Sequence, residues 1–333
     1  MKAIIWTRYG SPAYLRLQEV DKPILNDDQI LVKLHAASVT AGDCEMRRLE
    51  LPLGLSLPMR LYSGFFRPKR ISILGQEFSG EVVEIGKRVE NYQKGDQVFG
   101  TTGFKFGAYS EYVCLPAQPG DAQGTLAIKP AGVTPEEAAT IPTAGLEALH
   151  YFRNTGLRAG QKVLIVGGGG SIGTFAIQLA KLQHAVVTAV DSTVKQELML
   201  SLGADHVIDY TKSDYRDKKE VFDLIIDVVG RREVSKRLKL LKPGGSYYLA
   251  FAQPLQLVLA LWTSLTSKKK LIIQSSSQKM EDLEYLGRLL SERKIKSVID
   301  RIYPLEEIAT AHDYAESGSK KGNIAITISQ ASI

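Results

Sequence analysis

The sequence predicts an α/β protein in which a doubly wound parallel sheet domain is joined to a second, β-rich domain. Three observations carry this. Val163–Val166 form a short apolar, largely β-branched run that enters glycine and then Thr174–Leu182, where apolar residues recur at helical spacing. Beyond that point strand-like and helix-like segments alternate, as βαβ units require. Before it, the first hundred or so residues read as short strands separated by turn signals.

In order along the chain, Ile30–His35, Gly80–Ile85 and Gln97–Gly100 are apolar runs punctuated by Asp27-Asp28 and Lys94-Gly95-Asp96. Tyr109–Leu115 reads as another strand, and Arg47–Ile73, rich in Leu, Pro and Gly, as a loop with short helical pieces. The pattern changes near residue 125. Thr134-Pro135-Glu136-Glu137 is a capping box with proline at the first helical position, so a helix starts there. The strands that follow are Val163–Val166, Val186–Val190, His206–Ile208, Leu224–Val229, Ser246–Phe251 and Leu271–Gln274. Glu281–Leu290 is an amphipathic helix, and Ile324–Ile328 an apolar strand.

Gly168, Gly170 and Gly173 satisfy G-x-G-x-x-G between a strand and a helix. One glycine makes the tight turn, one lets backbone approach a pyrophosphate, and one lets helix pack closely on strand. The helix N-terminus, with Ser171 and Ile172, offers N–H groups and a positive dipole end to phosphates. The second strand ends in Asp191, eighteen residues past Gly173, where a dinucleotide fold places the acid that holds the adenosine ribose. These features predict a nucleotide cofactor.

Bulk composition excludes several classes. At 333 residues the chain suits two domains, and 44% hydrophobic with 23% charged residues is ordinary for a globular protein. The first residues, Met1 to Trp6, hold too short an apolar run for a signal peptide, so the expectation is a cytoplasmic protein. Cys44 and Cys114 form no disulfide framework. The net charge of +6 is modest; basic residues cluster only at Arg67–Arg70 and Lys268–Lys270, without interleaved aromatics, which argues against nucleic acid. Leu255–Trp262, extending with interruptions to Leu265, is too short to span a bilayer. It reads as a buried helix, a dimer-interface segment or a substrate-pocket lid, with interfacial membrane attachment beside Lys268–Lys270 as a lesser alternative.

The chain resembles the medium-chain dehydrogenase/reductase superfamily, specifically its zinc-free quinone-reductase (zeta-crystallin-like) branch. The resemblance runs nearly end to end, through Ile30–Val39, Gly75–Val83, Gly95–Gly100, Gly107–Tyr112, Ala176–Lys181, Ser201–Asp205 and Leu241–Gly245. It implies a Rossmann domain over residues 126–277. It also implies a GroES-like (chaperonin-10-like) catalytic domain over 1–125, completed by a return over 278–333. In zinc alcohol dehydrogenases of this superfamily Cys, His and Cys occupy positions that align here with Thr40, Gln76 and Thr140, none a good zinc ligand. The chain lacks the four clustered cysteines of a structural zinc lobe, and its five histidines show no metal-ligand spacing. The expectation is therefore no zinc.

Without a Lewis acid, the resemblance implies hydride delivery from NADP(H) or NAD(H) to a quinone or an α,β-unsaturated carbonyl, in a homodimer. Thr40, where relatives often have Asn, would donate to a substrate oxygen or contact the nicotinamide ribose; the alternative is a strand-end Thr capping a turn. Asp43, Arg47 and Tyr62 fall in the segment that borders the cleft in relatives; Tyr62 is a hydrogen-bond donor or a packing aromatic. Thr143 aligns with a position lining the nicotinamide side, and Phe251 and Ala252 follow the fifth Rossmann strand. Asp191 favours NAD, whereas Ser192, Thr193, Lys195 and Tyr210 would host the extra phosphate of NADP. Two rival readings remain at this level: a zinc-free alcohol dehydrogenase, and a non-catalytic redox sensor that keeps the cofactor site.

Overall fold

The computed structural model describes residues 1–51, 54–215, 221–230, 233–250, 254–273 and 278–328. The chain divides into two compact units. One comprises Met1–Leu146 with Gln278–Ile333, the other Glu147–Ser277.

In the first unit, β1 (Lys2–Trp6) and β2 (Leu15–Glu19) form an antiparallel pair. β3 (Gln29–Ser38) leads directly to Thr40 and helix α1 (Ala41–Arg48). Helix α2 (Ser56–Ser63) precedes β4 (Glu77–Ile85), β5 (Gln97–Thr101), β6 (Tyr112–Pro116) and β7 (Thr125–Ile128). Helices α3 (Pro135–Ala139) and α4 (Pro142–Arg153) follow, α3 opening on the expected capping box at Thr134 and Glu137.

The second unit carries β8 (Lys162–Val166), α5 (Ser171–Leu182), β9 (Val186–Asp191), α6 (Gln196–Ser201), β10 (His206–Asp209) and β11 (Phe222–Asp227). Next come α7 (Val234–Leu238), β12 (Leu241–Leu249), α8 (Pro254–Thr266) and β13 (Lys270–Ile272). The chain then returns to the first unit with α9 (Met280–Ser291), β14 (Ile299–Pro304), α10 (Ile308–Glu316) and β15 (Asn323–Thr327).

The second unit's sheet is parallel in the order β10-β9-β8-β11-β12-β13. Strand order reverses beside β8, the crevice where open α/β sheets bind ligands beyond their carboxyl ends. Buried Leu164, Val166, Val190, Ile225, Tyr247 and Leu249 form part of its core.

The first unit's sheet runs β14-β15-β3-β4-β5-β7, with β6 also pairing β3. One half of β3, Gln29–Lys33, pairs with β6, and Ala36–Ser38 pairs with β15. The end of β3 nearest Thr40 is thus held by a strand almost three hundred residues away in sequence. Trp6, Ile30, Leu34, Phe78, Tyr109 and Ile326 are buried around this sheet.

The boundary expected after residue 125 falls instead after Leu146. Strand β7 pairs with β5, and α3 packs on β3 and β4, so these residues complete the first unit. The strand expected over Ser246–Phe251 begins earlier, at Leu241, and ends at Leu249.

Candidate functional site

The second unit's site is built by the β8–α5 turn and the end of β9. Gly167 takes φ +86°, so the left-handed residue of the turn lies one position ahead of the G-x-G-x-x-G triplet. The triplet glycines then serve distinct ends. A Cβ on Gly173 would lie 2.2 Å from the Gly167 carbonyl oxygen and 2.6 Å from the Gly168 Cα, so bare backbone is what lets α5 approach the turn. A Cβ on Gly168 would meet Ala189 and Met199, each at 2.9 Å. At Gly170 the nearest atom is the Gly167 oxygen, at 3.5 Å.

Gly170 caps α5, which starts at Ser171, and the first-turn N–H groups there, including that of Ile172, have no intrahelical acceptor. This arrangement fits a dinucleotide pyrophosphate: a side chain at Gly170 would occupy space before the helix dipole, whereas Gly168 and Gly173 serve packing.

Asp191 is tied into the same turn. Its Oδ2 accepts from the Gly169 N–H at 3.0 Å, and its Oδ1 from the Ser192 N–H at 2.8 Å. Lys195 places its Nζ 3.3 Å from Asp191 Oδ1, with both side chains 10% exposed. The lysine stem lies over Gly169, where a Cβ would meet its carbons at 2.5 and 2.7 Å. Tyr210, on the neighbouring chain end, donates its N–H to the Asp191 carbonyl at 3.3 Å, while most of its side chain is exposed. Asp191, Ser192, Lys195 and Tyr210 therefore share one edge, as the sequence expects. Thr193 is latched to that edge by a hydrogen bond from its hydroxyl to Asp209. The carboxylate of Asp191 does not stand free there; it is already neutralised by Lys195. Phe251 and Ala252 lie outside the described residues.

Beyond β11, buried Asp227 accepts from the N–H groups of Val229 and Gly230 at 3.1 and 2.8 Å, from Arg237 at 2.7 Å and from the Tyr247 hydroxyl at 2.5 Å. It thereby fixes the loop whose Val228 packs against Gly167. The structural role expected of Asp227 takes this form.

In the first unit, Thr40 is the N-cap of α1. Its Oγ1 accepts from the Asp43 N–H at 3.0 Å and donates to Asp43 Oδ2 at 2.7 Å. The capping role is thus the one its hydroxyl performs, with its proton directed at a carboxylate. Asp43 is fully buried, and its Oδ1 has no hydrogen-bond partner. Burial pushes its carboxyl up to about 6, against the hydrogen bonds from Thr40.

A second buried acid, Glu77, lies nearby in the same sheet. It accepts from the Ser38 hydroxyl and from the Thr143 N–H at the start of α4, and burial pushes it up to about 7. Thr143 thus acts here through its backbone. Tyr62, on α2, is 46% exposed and lies beneath Arg70, whose guanidinium carbon is 4.1 Å from its ring centroid. That is the packing role.

The three positions that align with zinc ligands have other partners. Thr40 is the cap just described. Gln76 donates to the Gly103 carbonyl at 3.4 Å. Thr140 bonds the Glu136 and Glu137 carbonyls and, at 2.7 Å, Ser297 Oγ. Among the described residues no three His, Cys, Asp or Glu side chains gather as a metal-ligand set.

Sequence reasoning did not single out Glu77 or the buried chain formed by Tyr109, His312 and Arg47. His312 Nε2 lies 3.2 Å from the Tyr109 hydroxyl, and Arg47 Nε lies 3.4 Å from His312 Nδ1. Burial and the guanidinium groups of Arg47 and Arg48 push His312 down to about 3, so it is neutral. The signal available was a buried-run context for Glu77 inside Gly75–Val83, but its partners come from distant segments. Cys44 and Cys114 are both buried and free.

Residues 26–119 match the alcohol dehydrogenase GroES-like domain family, and residues 202–326 match a family described as zinc-binding dehydrogenase. The chain is 32% identical over 338 residues to 2-methylene-furan-3-one reductase of Solanum lycopersicum, covering 98% of this chain and 79% of that protein. It is 29% identical, with the same coverage, to the chloroplastic NADPH-dependent alkenal/one oxidoreductase of Arabidopsis thaliana. Among solved structures, the quinone oxidoreductase of Coxiella burnetii superposes with a TM-score of 0.88 at 31% identity over 99% of both chains.

Proposed function

The chain belongs to the quinone oxidoreductase branch of the medium-chain dehydrogenase/reductase superfamily and is an NAD(P)H-dependent reductase of quinones or α,β-unsaturated carbonyls; on that premise we propose that it works without zinc. The observation that carries the zinc-free reading is the set of partners at Thr40, Gln76 and Thr140. Each side chain is committed to a cap, a carbonyl or a helix turn, and none offers a soft or imidazole donor.

The bound nicotinamide supplies the hydride. The protein's part at that end is to hold the pyrophosphate at the start of α5 and the adenosine ribose beside Asp191. Lys195 leaves Asp191 to meet a 2′-phosphate, so NADPH and NADH are both accepted, with NADPH favoured.

Adding a hydride to an electrophilic acceptor leaves negative charge on its oxygen, which then takes a proton. Thr40 and Asp43 are the pair suited to that task. The hydroxyl of Thr40 passes its proton outward when Asp43, in its protonated form, replaces it. An unpartnered buried carboxyl oxygen favours that protonated form near neutrality. The reading includes a homodimer, checked by light scattering.

The test is steady-state oxidation of NADPH and NADH with quinones and enones, in the presence of a strong chelator. Turnover that survives the chelator supports the proposal; turnover that dies with it and returns with zinc overturns it. Asp43 adds a second readout. With its carboxyl at about 6, the rate of the protonation-limited step falls as pH rises above that value, and Asp43→Asn removes this limb. An unchanged pH profile in the variant refutes the assignment.

A further inference from the structure

The second unit carries an apolar surface that the reductase chemistry does not use. Helix α8 turns Gln256 and Thr263 inward, and Leu259 and Ala260 pack against the core. Gln256 donates to the Gly230 carbonyl at 2.6 Å, which fixes the rotation of the helix. The opposite face presents Val258, Trp262 and Leu265, spaced four and then three residues apart, at 63%, 65% and 74% exposure. A helix that buries polar residues and exposes a tryptophan in an apolar stripe reverses the usual surface pattern.

Charge says what covers this stripe. The helix is followed within three residues by Lys268, Lys269 and Lys270. From Val234 to Met280 the sequence contains no Asp or Glu, while Lys and Arg recur throughout. A tryptophan-bearing apolar stripe flanked by lysines on an acid-free segment is the chemistry that binds an anionic lipid surface, with the ring at headgroup level. No described helix is long and apolar enough to cross a membrane. We propose that α8 and Lys268–Lys270 dock this protein peripherally on anionic lipid bilayers. The inference is independent of which acceptor the enzyme reduces, because it concerns a surface and not turnover.

The chain has two tryptophans, and Trp6 is buried, so a change in indole emission on adding vesicles reports Trp262. The full-length protein is mixed with vesicles of phosphatidylcholine alone, or with roughly a third phosphatidylglycerol. Sedimentation and emission are then read at low and high salt. The expected result is co-sedimentation with the anionic vesicles only, a blue shift, and loss of both in high salt.

Replacing Lys268, Lys269 and Lys270 by Gln weakens the partitioning roughly a hundredfold, at about one kcal/mol per lysine. Trp262→Ser with Val258→Ser also abolishes sedimentation, while an unchanged urea midpoint shows that the fold is intact. Three results overturn the proposal. One is no sedimentation of the wild-type protein with anionic vesicles. Another is a blue shift that follows protein concentration without lipid, which assigns the stripe to a second copy of the chain. The third is retention of binding by the α8 variants together with its loss in Phe65→Ser, Phe66→Ser, since the first unit exposes those rings beside Arg67 and Lys69.

Discussion

Replacing Lys195 by Gln separates the two cofactors, and the structure sets the size of the effect. The Nζ to Oδ1 distance to Asp191 is 3.3 Å, which at an effective dielectric near 20 is a gross attraction of about 5 kcal/mol, largely offset by desolvation. When a 2′-phosphate is present the lysine gives up that pair for a charge-assisted hydrogen bond worth about 1.5–3 kcal/mol. Because Asp191 keeps the N–H groups of Gly169 and Ser192, leaving it is inexpensive but not free, and the net falls in the lower part of that range. The expected loss in kcat/KM for NADPH is therefore roughly tenfold to thirtyfold. For NADH, whose ribose hydroxyls meet Asp191 directly, the change stays within about threefold. The assay is initial-rate loss of reduced-nicotinamide absorbance at varied concentrations of each cofactor with one saturating quinone. Asp191→Asn gives the opposite sign, raising the NADPH to NADH ratio. Equal losses with both cofactors in Lys195→Gln refute the reasoning, because they show that the lysine only props the turn.

Two glycine variants part in a related way. Gly173→Ala drives a methyl into the Gly167 oxygen and costs about 1–3 kcal/mol or more in stability, read as a lowered Tm. Gly170→Ala, whose Cβ meets nothing closer than 3.5 Å, leaves Tm near wild type but weakens cofactor binding at least tenfold by fluorescence titration; a normal affinity disproves the pyrophosphate assignment. Glu77 makes stability depend on pH. Its folded value, about 7, lies above the ordinary 4.5, so its contribution is complete below about pH 4.5 and is lost as pH rises through 7. That difference corresponds to roughly 3 kcal/mol, and Glu77→Gln flattens the slope of urea stability against pH over this window. Parallel curves for the two proteins refute it. Asp227→Asn strands the Arg237 guanidinium and costs about 3–5 kcal/mol in urea unfolding, whereas a loss under 1 kcal/mol shows that the pair is not a stabilising one.

The cofactor end was legible because its parts are neighbours in sequence. Gly168 to Lys195 is one strand–helix–strand unit, and each residue's task follows from the local geometry of the turn. What sequence could not give was the state of Asp191, since neutralisation by Lys195 depends on a side-chain rotamer. The first unit was less open to reading. Ser38, Glu77 and Thr143 converge from three distant segments, and the pairing of β15 with β3 leaves no local trace. Thr40 was identified, yet its commitment to Asp43 depends on the capping geometry. Helix α8 was noticed as an apolar run, but which face it turned outward required the position of Gln256.

The return of β15 to β3 has a consequence for synthesis on the ribosome. Residues 147–277 emerge as an uninterrupted stretch, and their parallel sheet needs nothing from later in the chain. The first unit emerges earlier, yet it must wait for its last strand before Ala36–Ser38 gain a partner and the turn into Thr40 is braced. The nascent chain therefore carries an open, apolar strand edge through most of translation, the state most exposed to mispairing and to chaperones. Vectorial folding thus completes the dinucleotide end first and the proton-handling end last, and a ribosome stalled before residue 323 leaves the second unfinished.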